Sequence, residues 1–266
     1  MTRQAAWNAE RYHVVSTPHE SWGASVLARI PAIDPTSILD AGCGTGKITR
    51  ELLEQFPAAT VYAVDYSDTM LAVVERELKP AYGDRVHVLQ ADLSTLTPDI
   101  IGTTVDLVFS TATFHWIKDH QVLFGRLYDL LNPGGSLVAQ CGGGPNLSKS
   151  RKLVDELMAS PQYASAFEGW IEPWIFADAG ITAQRLVEVG FENVTTGLDY
   201  QPADMKDEDT FREFIRTVVY REHLAKLTSV ADENAFVGEL VHAAGLQATP
   251  WELDYWRLNM EAKKPD

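Results

Sequence analysis

Residues 37–56 read SILDAGCGTGKITRELLEQF: a short apolar run ending in Asp40, glycines at 42, 44 and 46, and then a helical pattern. Glycine at every second position lets the backbone take angles closed to other residues and leaves it bare to whatever lies above. A strand, a glycine turn and a helix in that order open a βαβ unit, which commits the chain to a parallel α/β sheet with a ligand at the turn. The spacing decides which ligand. A phosphate-binding P-loop would need glycine where Ala41 stands and a hydroxyl where Ile48 stands. The dinucleotide fingerprint would need glycine where Lys47 stands. Neither fits.

The rest of the chain extends the α/β reading. Strands are expected at 37–40, 60–65, 85–92, 105–110 and 136–141, separated by helical patterns. One helix follows Ser67 as N-cap and stops at Pro80; another puts Leu123, Leu127, Leu130 and Leu131 on one stripe. After Cys141 come a GGGPN loop, a helix running into a strand at about 191–200, and a last strand at 253–262. The fifty-odd residues between those two strands are too many for a simple connection and are helical in pattern, over 207–227 and about 232–245. The expected fold is therefore α/β: a Rossmann-like doubly wound, mostly parallel sheet of about seven strands with helical cap insertions. It is read as one domain over 1–266, with a ligand-binding core at 36–141 and cap segments at 145–187 and 203–250.

The pattern left by the glycines is D-x-G-x-G-x-G, over Asp40, Gly42, Gly44 and Gly46. It resembles the first motif of class I S-adenosylmethionine-dependent methyltransferases, and four further stretches fall in register with that family. Asp65 ends the second strand, 25 residues on (65 − 40), followed by Tyr66; Asp92 and Leu93 follow the third strand; Ser110 and Thr111 follow the fourth; LLNPGGSLV leads into the fifth. The resemblance implies that the glycine loop passes the methionine part of the cofactor, that Asp65 accepts both ribose hydroxyls, and that Asp92 accepts from the adenine amino group. Asp40, Tyr66, Leu93 and Ser110 complete the implied cofactor shell, with S-adenosylhomocysteine as product. Taken singly, the glycines could be a tight reversal, and Asp65 or Ser67 an N-cap.

The acceptor is expected at the carboxyl ends of the strands, where STATFHWIKDH leaves the fourth. His115 and Trp116 are the candidates there, His115 also as a general base; the alternative is a core tryptophan and a solvated histidine. The spacing of His115 and His120 does not suit a metal, and no cysteine or third histidine lies near in sequence. WNAERY near the start, which holds Tyr12, together with FHWIKDH, LLNPGG and the helical insertion, resembles the trans-aconitate methyltransferase branch, which methylates small carboxylic acids. In the insertion Phe211, Phe214, Ile215 and Val218 share a face at about 100° per residue. Arg221 falls at the edge of that face and Arg216 nearly opposite, so Arg221 is the candidate to reach an acidic substrate; an exposed arginine is the alternative. Glu222, mid-face, suggests that the helix bends or ends there.

Charge and composition remove other classes. A formal net charge of −15 without a basic cluster lacks the footprint of a nucleic-acid binder. No run is long and apolar enough for a membrane span, and the first residues lack the apolar stretch of a signal peptide, so a cytoplasmic location is expected. The two cysteines, Cys43 and Cys141, read as free thiols. Three functions fit: methyl transfer to a small acid, methylation of a hydroxylated natural product at oxygen or carbon, and cofactor sensing without chemistry. A nicotinamide-dependent oxidoreductase is a further rival. Oligomeric state is not legible.

Overall fold

The computed structural model describes residues 17–266. They fall into two compact units, one of residues 17–144, 174–199 and 257–266, the other of 145–173 and 200–256.

The first unit is the sheet. Its elements are α1 (Thr17–Leu27), β1 (Ser37–Ala41), α2 (Lys47–Gln55), β2 (Thr60–Asp65), α3 (Asp68–Tyr82), β3 (Val86–Gln90), β4 (Val105–Thr111), α4 (His120–Leu130), β5 (Leu131–Gly142), α5 (Ala179–Val189), β6 (Glu192–Tyr200) and β7 (Trp256–Lys263). The strand order is β3-β2-β1-β4-β5-β7-β6. β1 pairs in parallel with β2 from Ser37↔Thr60 to Ala41↔Val64, and with β4 at Ile38↔Leu107 to Asp40↔Phe109. β7 runs antiparallel to β5, from Ser136↔Lys263 to Gly142↔Arg257. The chain winds outward from β1 to β3 and then crosses to β4, so the switch point lies between β1 and β4, with the glycine loop at its carboxyl end.

Both faces of the sheet are covered, which is why its central strands are apolar at successive positions instead of alternating. Ile38, Leu107 and Val138 join one core with Leu52 and Leu53 of α2. Their chain neighbours Leu39, Val108 and Leu137 join the other, with Leu123 and Leu127 of α4. The expected Ser67 cap is present, its hydroxyl accepting from Met70 N–H at 3.4 Å. The expected stop at Pro80 is not: α3 runs on to Tyr82 and ends at Gly83, at φ 54°. Proline in a last turn costs a single i→i−4 bond, too little to end a helix whose apolar face is already buried.

In the second unit helix Val230–Gly245 lies against helices Ser148–Met158 and Glu208–Phe214. Phe211, Phe214, Ile215 and Val218 are all buried. The insertion is not one helix: Glu208–Phe214 passes into a π turn at Ile215–Val219, and a short helix follows at Arg221–Leu224. A two-stranded ribbon pairs Ala203–Asp204 with Glu252–Leu253. Residues 174–187, expected in the cap, belong to the sheet unit. Among the described residues no helix is long and apolar enough to cross a membrane.

Candidate functional site

The three glycines of the loop have positive φ, 82°, 54° and 82°, yet each answers a different need. A Cβ on Gly42 would stand 2.2 Å from the side chain of Thr113, in the loop after β4, so this glycine permits two loops to touch. A Cβ on Gly46 would press on Val74 of α3 at 3.0 Å. A Cβ on Gly44 would meet nothing within 4 Å: here glycine serves the backbone angle and leaves the surface open. The loop is clipped to the end of β2, where Val64 O accepts from the N–H of Gly42 at 2.8 Å and of Cys43 at 3.0 Å.

Asp65 is tied to the same loop. Its Oδ2 accepts from Gly44 N–H at 2.9 Å and its Oδ1 from Ser67 N–H at 2.9 Å. The Tyr66 amide bears on the carboxylate as well; an ionised carboxylate has about four lone-pair sites, so Asp65 can hold the loop and still accept from a ligand hydroxyl. Burial raises its pKa, against the lowering effect of these amides. Ser67, not Asp65, caps α3. Tyr66 is 65% exposed, a large ring beside the loop that the fold itself does not use. A glycine backbone open above Gly44, next to an acid that can still accept, suits a ligand with hydroxyls and no phosphate, as S-adenosylmethionine is.

Other expected site residues take different places. Asp40 is buried beneath the loop and its Oδ2 accepts from the Thr49 hydroxyl of α2 at 2.6 Å. Burial, with a smaller push from Asp65, raises its pKa to about 7. An unfolded aspartate ionises near 3.9; between there and about 7 the unfolded chain releases a proton the folded one keeps, so stability falls as pH rises. Asp40→Asn is therefore expected to gain in melting temperature relative to the parent between pH 5 and pH 8, with little difference near pH 4; a constant offset across the series counts against the assignment. Ser110 is buried with its hydroxyl donating to Ala41 O at 2.6 Å, a clip between β4 and β1, not a group presented to ligand. Leu93 is a core side chain, because the turn after β3 points it into the sheet's apolar layer. Asp92 is exposed at that turn, Oδ1 accepting from Ser94 N–H at 2.8 Å.

At the carboxyl end of β4 the turn Phe114–Trp116 sets His115 and Trp116 beside each other, ring centroids 5.4 Å apart. Trp116 meets Trp174 edge-on at 5.8 Å, and His115 lies 5.8 Å from Phe176. His115 Nδ1 accepts from Gly142 N–H at 3.3 Å. His120 is buried, its Nε2 paired with Phe114 O at 3.0 Å, and burial lowers its pKa. Among the described residues no group of three or more His, Cys, Asp or Glu is placed to hold a metal ion. Both cysteines are free and buried.

Arg221 belongs to the other unit and is 9% exposed, Nη2 standing 2.9 Å from Glu222 Oε1. The exposed-arginine alternative does not hold for it. Arg216 turns instead to Glu233, at 3.0 Å. Tyr12 lies outside the described residues. Thr113, Trp174, Phe176 and the Gly142 amide, which lie against Gly42, Trp116 and His115, are neighbours that sequence reasoning missed; only Thr113, two residues past β4, carried a local signal.

A methyltransferase-domain family matches residues 38–135. The chain is 34% identical over 152 residues to a trans-aconitate 2-methyltransferase of Acidovorax sp. (strain JS42), a match covering 57% of this chain and only 55% of that protein's length. It is 31% identical over 226 residues to the trans-aconitate 2-methyltransferase of Streptomyces avermitilis, covering 81% of this chain and 80% of that one. In fold it is similar to Haemonchus contortus phosphoethanolamine N-methyltransferase 2 in complex with S-adenosyl-L-methionine, at TM-score 0.58 and 21% identity, over 92% of this chain and 53% of that one. A cyclopropane synthase of Mycobacterium tuberculosis is similar at TM-score 0.59 and 18% identity, over 92% and 84%. Loop, acid and strand order agree with these matches: the chain belongs to the class I S-adenosylmethionine-dependent methyltransferases, in the trans-aconitate methyltransferase-like branch, and its cofactor is S-adenosylmethionine.

Proposed function

We propose that this chain methylates a small carboxylic acid to its methyl ester. S-adenosylmethionine supplies an electrophilic methyl group when bound, and Gly42, Gly44, Gly46, Asp65 and Tyr66 are the residues that would hold it, with Asp92 at the next strand end. A carboxylate is ionised at neutral pH, whereas an alcohol or phenol, with pKa about 10 or higher, wants a base within reach.

One observation carries the choice of acceptor. Neither imidazole at the end of β4 is set up as a base: Nδ1 of His115 is taken by the Gly142 amide, and His120 is buried against the Phe114 carbonyl. An acid needs only to be held in line and kept dry, which is work for the Trp116, Trp174 and Phe176 rings. The relatives named as trans-aconitate 2-methyltransferases support the same acceptor class. For the chain as a whole we propose a small-molecule acceptor and no nucleic-acid partner, in keeping with its net charge of −15.

The test is product analysis after incubation with S-adenosylmethionine and a panel of small mono- and dicarboxylic acids. A methyl ester, split by mild base to methanol and the parent acid, is expected. An ether or N-methyl product, or cofactor binding with no turnover over the panel, refutes the reading.

A further inference from the structure

The glycine loop and the turn that follows β4 meet at one residue. Thr113 packs its side chain where a Cβ on Gly42 would stand, and its hydroxyl lies 3.2 Å from Gly42 O and 3.0 Å from Thr111 O, one proton within reach of two carbonyls. Its own carbonyl accepts from Trp116 N–H at 2.9 Å, the bond that opens the turn Phe114–Trp116. The residue before it, Ala112, has φ 56°, and its N–H donates to Gln140 O of β5 at 2.8 Å. An alanine stays at such an angle only where its surroundings over-determine it. On the other side, Gly42 N–H donates to Val64 O, next to Asp65. A chain of contacts thus runs from the end of β2 through Gly42 and Thr113 to Trp116, all within the unit that carries the sheet.

Ser110 and Thr113 clip successive carbonyls of the loop, Ala41 and Gly42, yet the two hydroxyls are not equivalent. Ser110 is buried between β4 and β1 and serves the sheet. Thr113 is half-buried, and its bond joins the two loops beyond the last β1–β4 pair, Asp40↔Phe109. We propose that Thr113 is a positioning residue that couples the two sides of the site: ligand filling the glycine loop fixes Gly42, Thr113 carries that order to the turn Phe114–Trp116, and the turn then holds the acceptor in line with the methyl group. Filling the cofactor loop thereby assembles the acceptor side. The coupling shares with the function proposed above only the placing of the acceptor at that turn, and it holds for any acceptor placed there. Its size is that of one neutral hydrogen bond, a few-fold in rate, because the hydroxyl has Thr111 O as a second acceptor when Gly42 moves away.

Two measurements on the full chain test this. Thr113→Val removes the hydroxyl and keeps a branched side chain against Gly42, whereas Thr113→Ser keeps the hydroxyl; Thr113→Ala takes the place of the valine variant if that chain does not fold. The first measurement is hydrogen–deuterium exchange of segment 114–117, read by mass spectrometry with and without saturating S-adenosylhomocysteine. Ligand is expected to slow exchange there several-fold in the parent and in Thr113→Ser and to leave it nearly unchanged in Thr113→Val, although all three chains bind the ligand within a few-fold of one another by calorimetry. Protection that persists in Thr113→Val, or that is absent from the parent, overturns the proposal. The second measurement is turnover of an acid that the parent accepts. Thr113→Val is expected to lose roughly three- to tenfold in kcat, as one neutral hydrogen bond allows, with KM for S-adenosylmethionine held within about twofold, and Thr113→Ser to recover most of the loss. A fall in kcat matched by an equal fall in S-adenosylhomocysteine affinity means that Thr113 only supports the loop, and overturns the coupling. No turnover of any acid in the panel refutes the proposed function, and the exchange result then decides the coupling by itself.

Discussion

Gly44→Val is expected to abolish binding of S-adenosylhomocysteine in a chain that still folds, whereas Gly42→Val is expected to lose the fold along with the ligand. Both positions have positive φ, at 54° and 82°, so each substitution carries the strain of a branched side chain in that region, about 1–3 kcal/mol. The surroundings separate them. Valine at 44 meets no protein atom near its Cβ, so the added bulk takes only the space left open above the loop. Valine at 42 would bring its Cβ to 2.2 Å from Thr113, and relieving that overlap means parting the β1 and β4 loops at the sheet's switch point. A melting-temperature loss of up to roughly ten degrees is expected for Gly44→Val, with calorimetric affinity down by more than about a hundredfold. For Gly42→Val the cooperative transition itself should be lost or displaced much further. Full affinity in a folded Gly44→Val chain would remove the loop from the cofactor site.

The contrast between those two glycines is not visible in sequence, where both are members of one motif. What the sequence does carry is local. Short β-branched runs between helical patterns place the central strands within a few residues, because a parallel sheet buried on both faces asks for apolar side chains at successive positions. Ser67 was legible as a cap for the same reason: its partner, Met70, is three residues away. Errors begin where a competing interaction is distant or nearly balanced. Pro80 reads as a stop, yet the helix continues because its apolar face is already buried against the sheet. Arg221, placed by the pattern at the edge of the buried face, is buried, whereas the bend that Glu222 suggests comes earlier, at the π turn Ile215–Val219. The clamp on His115 depends on an amide 27 residues along the chain and on a ring 61 residues away, and no periodicity joins them. Asp40, Ser110 and Leu93 show a limit of a different kind. Motif position puts them at the site, whereas burial decides whether a side chain faces the ligand or holds up the loop that does.

Asp65→Ala should be the most damaging single change that leaves the glycines in place, because one carboxylate serves both the expected ligand and the loop. Losing the acceptor for a ribose hydroxyl costs roughly 1.5–3 kcal/mol for a bond to a charged group, or about a ten- to hundredfold weaker complex. The structure adds that Gly44 N–H and Ser67 N–H lose their partner too, so the loop is released and the loss is expected at or beyond the upper end of that range. Asp65→Asn should not rescue it: the Gly44 and Ser67 amides lie on different carboxylate oxygens, so the carboxamide oxygen can replace only one of them and the NH2 group opposes the other as donor against donor. The same geometry sets a pH dependence. Burial raises the Asp65 pKa, and hydroxyls that bind the ionised form must lower it again in the complex. Affinity is therefore expected to fall as pH drops through the free protein's raised value, earlier than an ordinary aspartate would allow, and this acid limb should be absent in Asp65→Ala. Calorimetric titration of S-adenosylhomocysteine from pH 8 down to pH 4, on parent and both variants with the fold monitored alongside, decides it. Equal affinities for parent and Asp65→Ala at pH 8 would take the ribose away from Asp65, and an acid limb that persists in the alanine variant would assign that titration to another group.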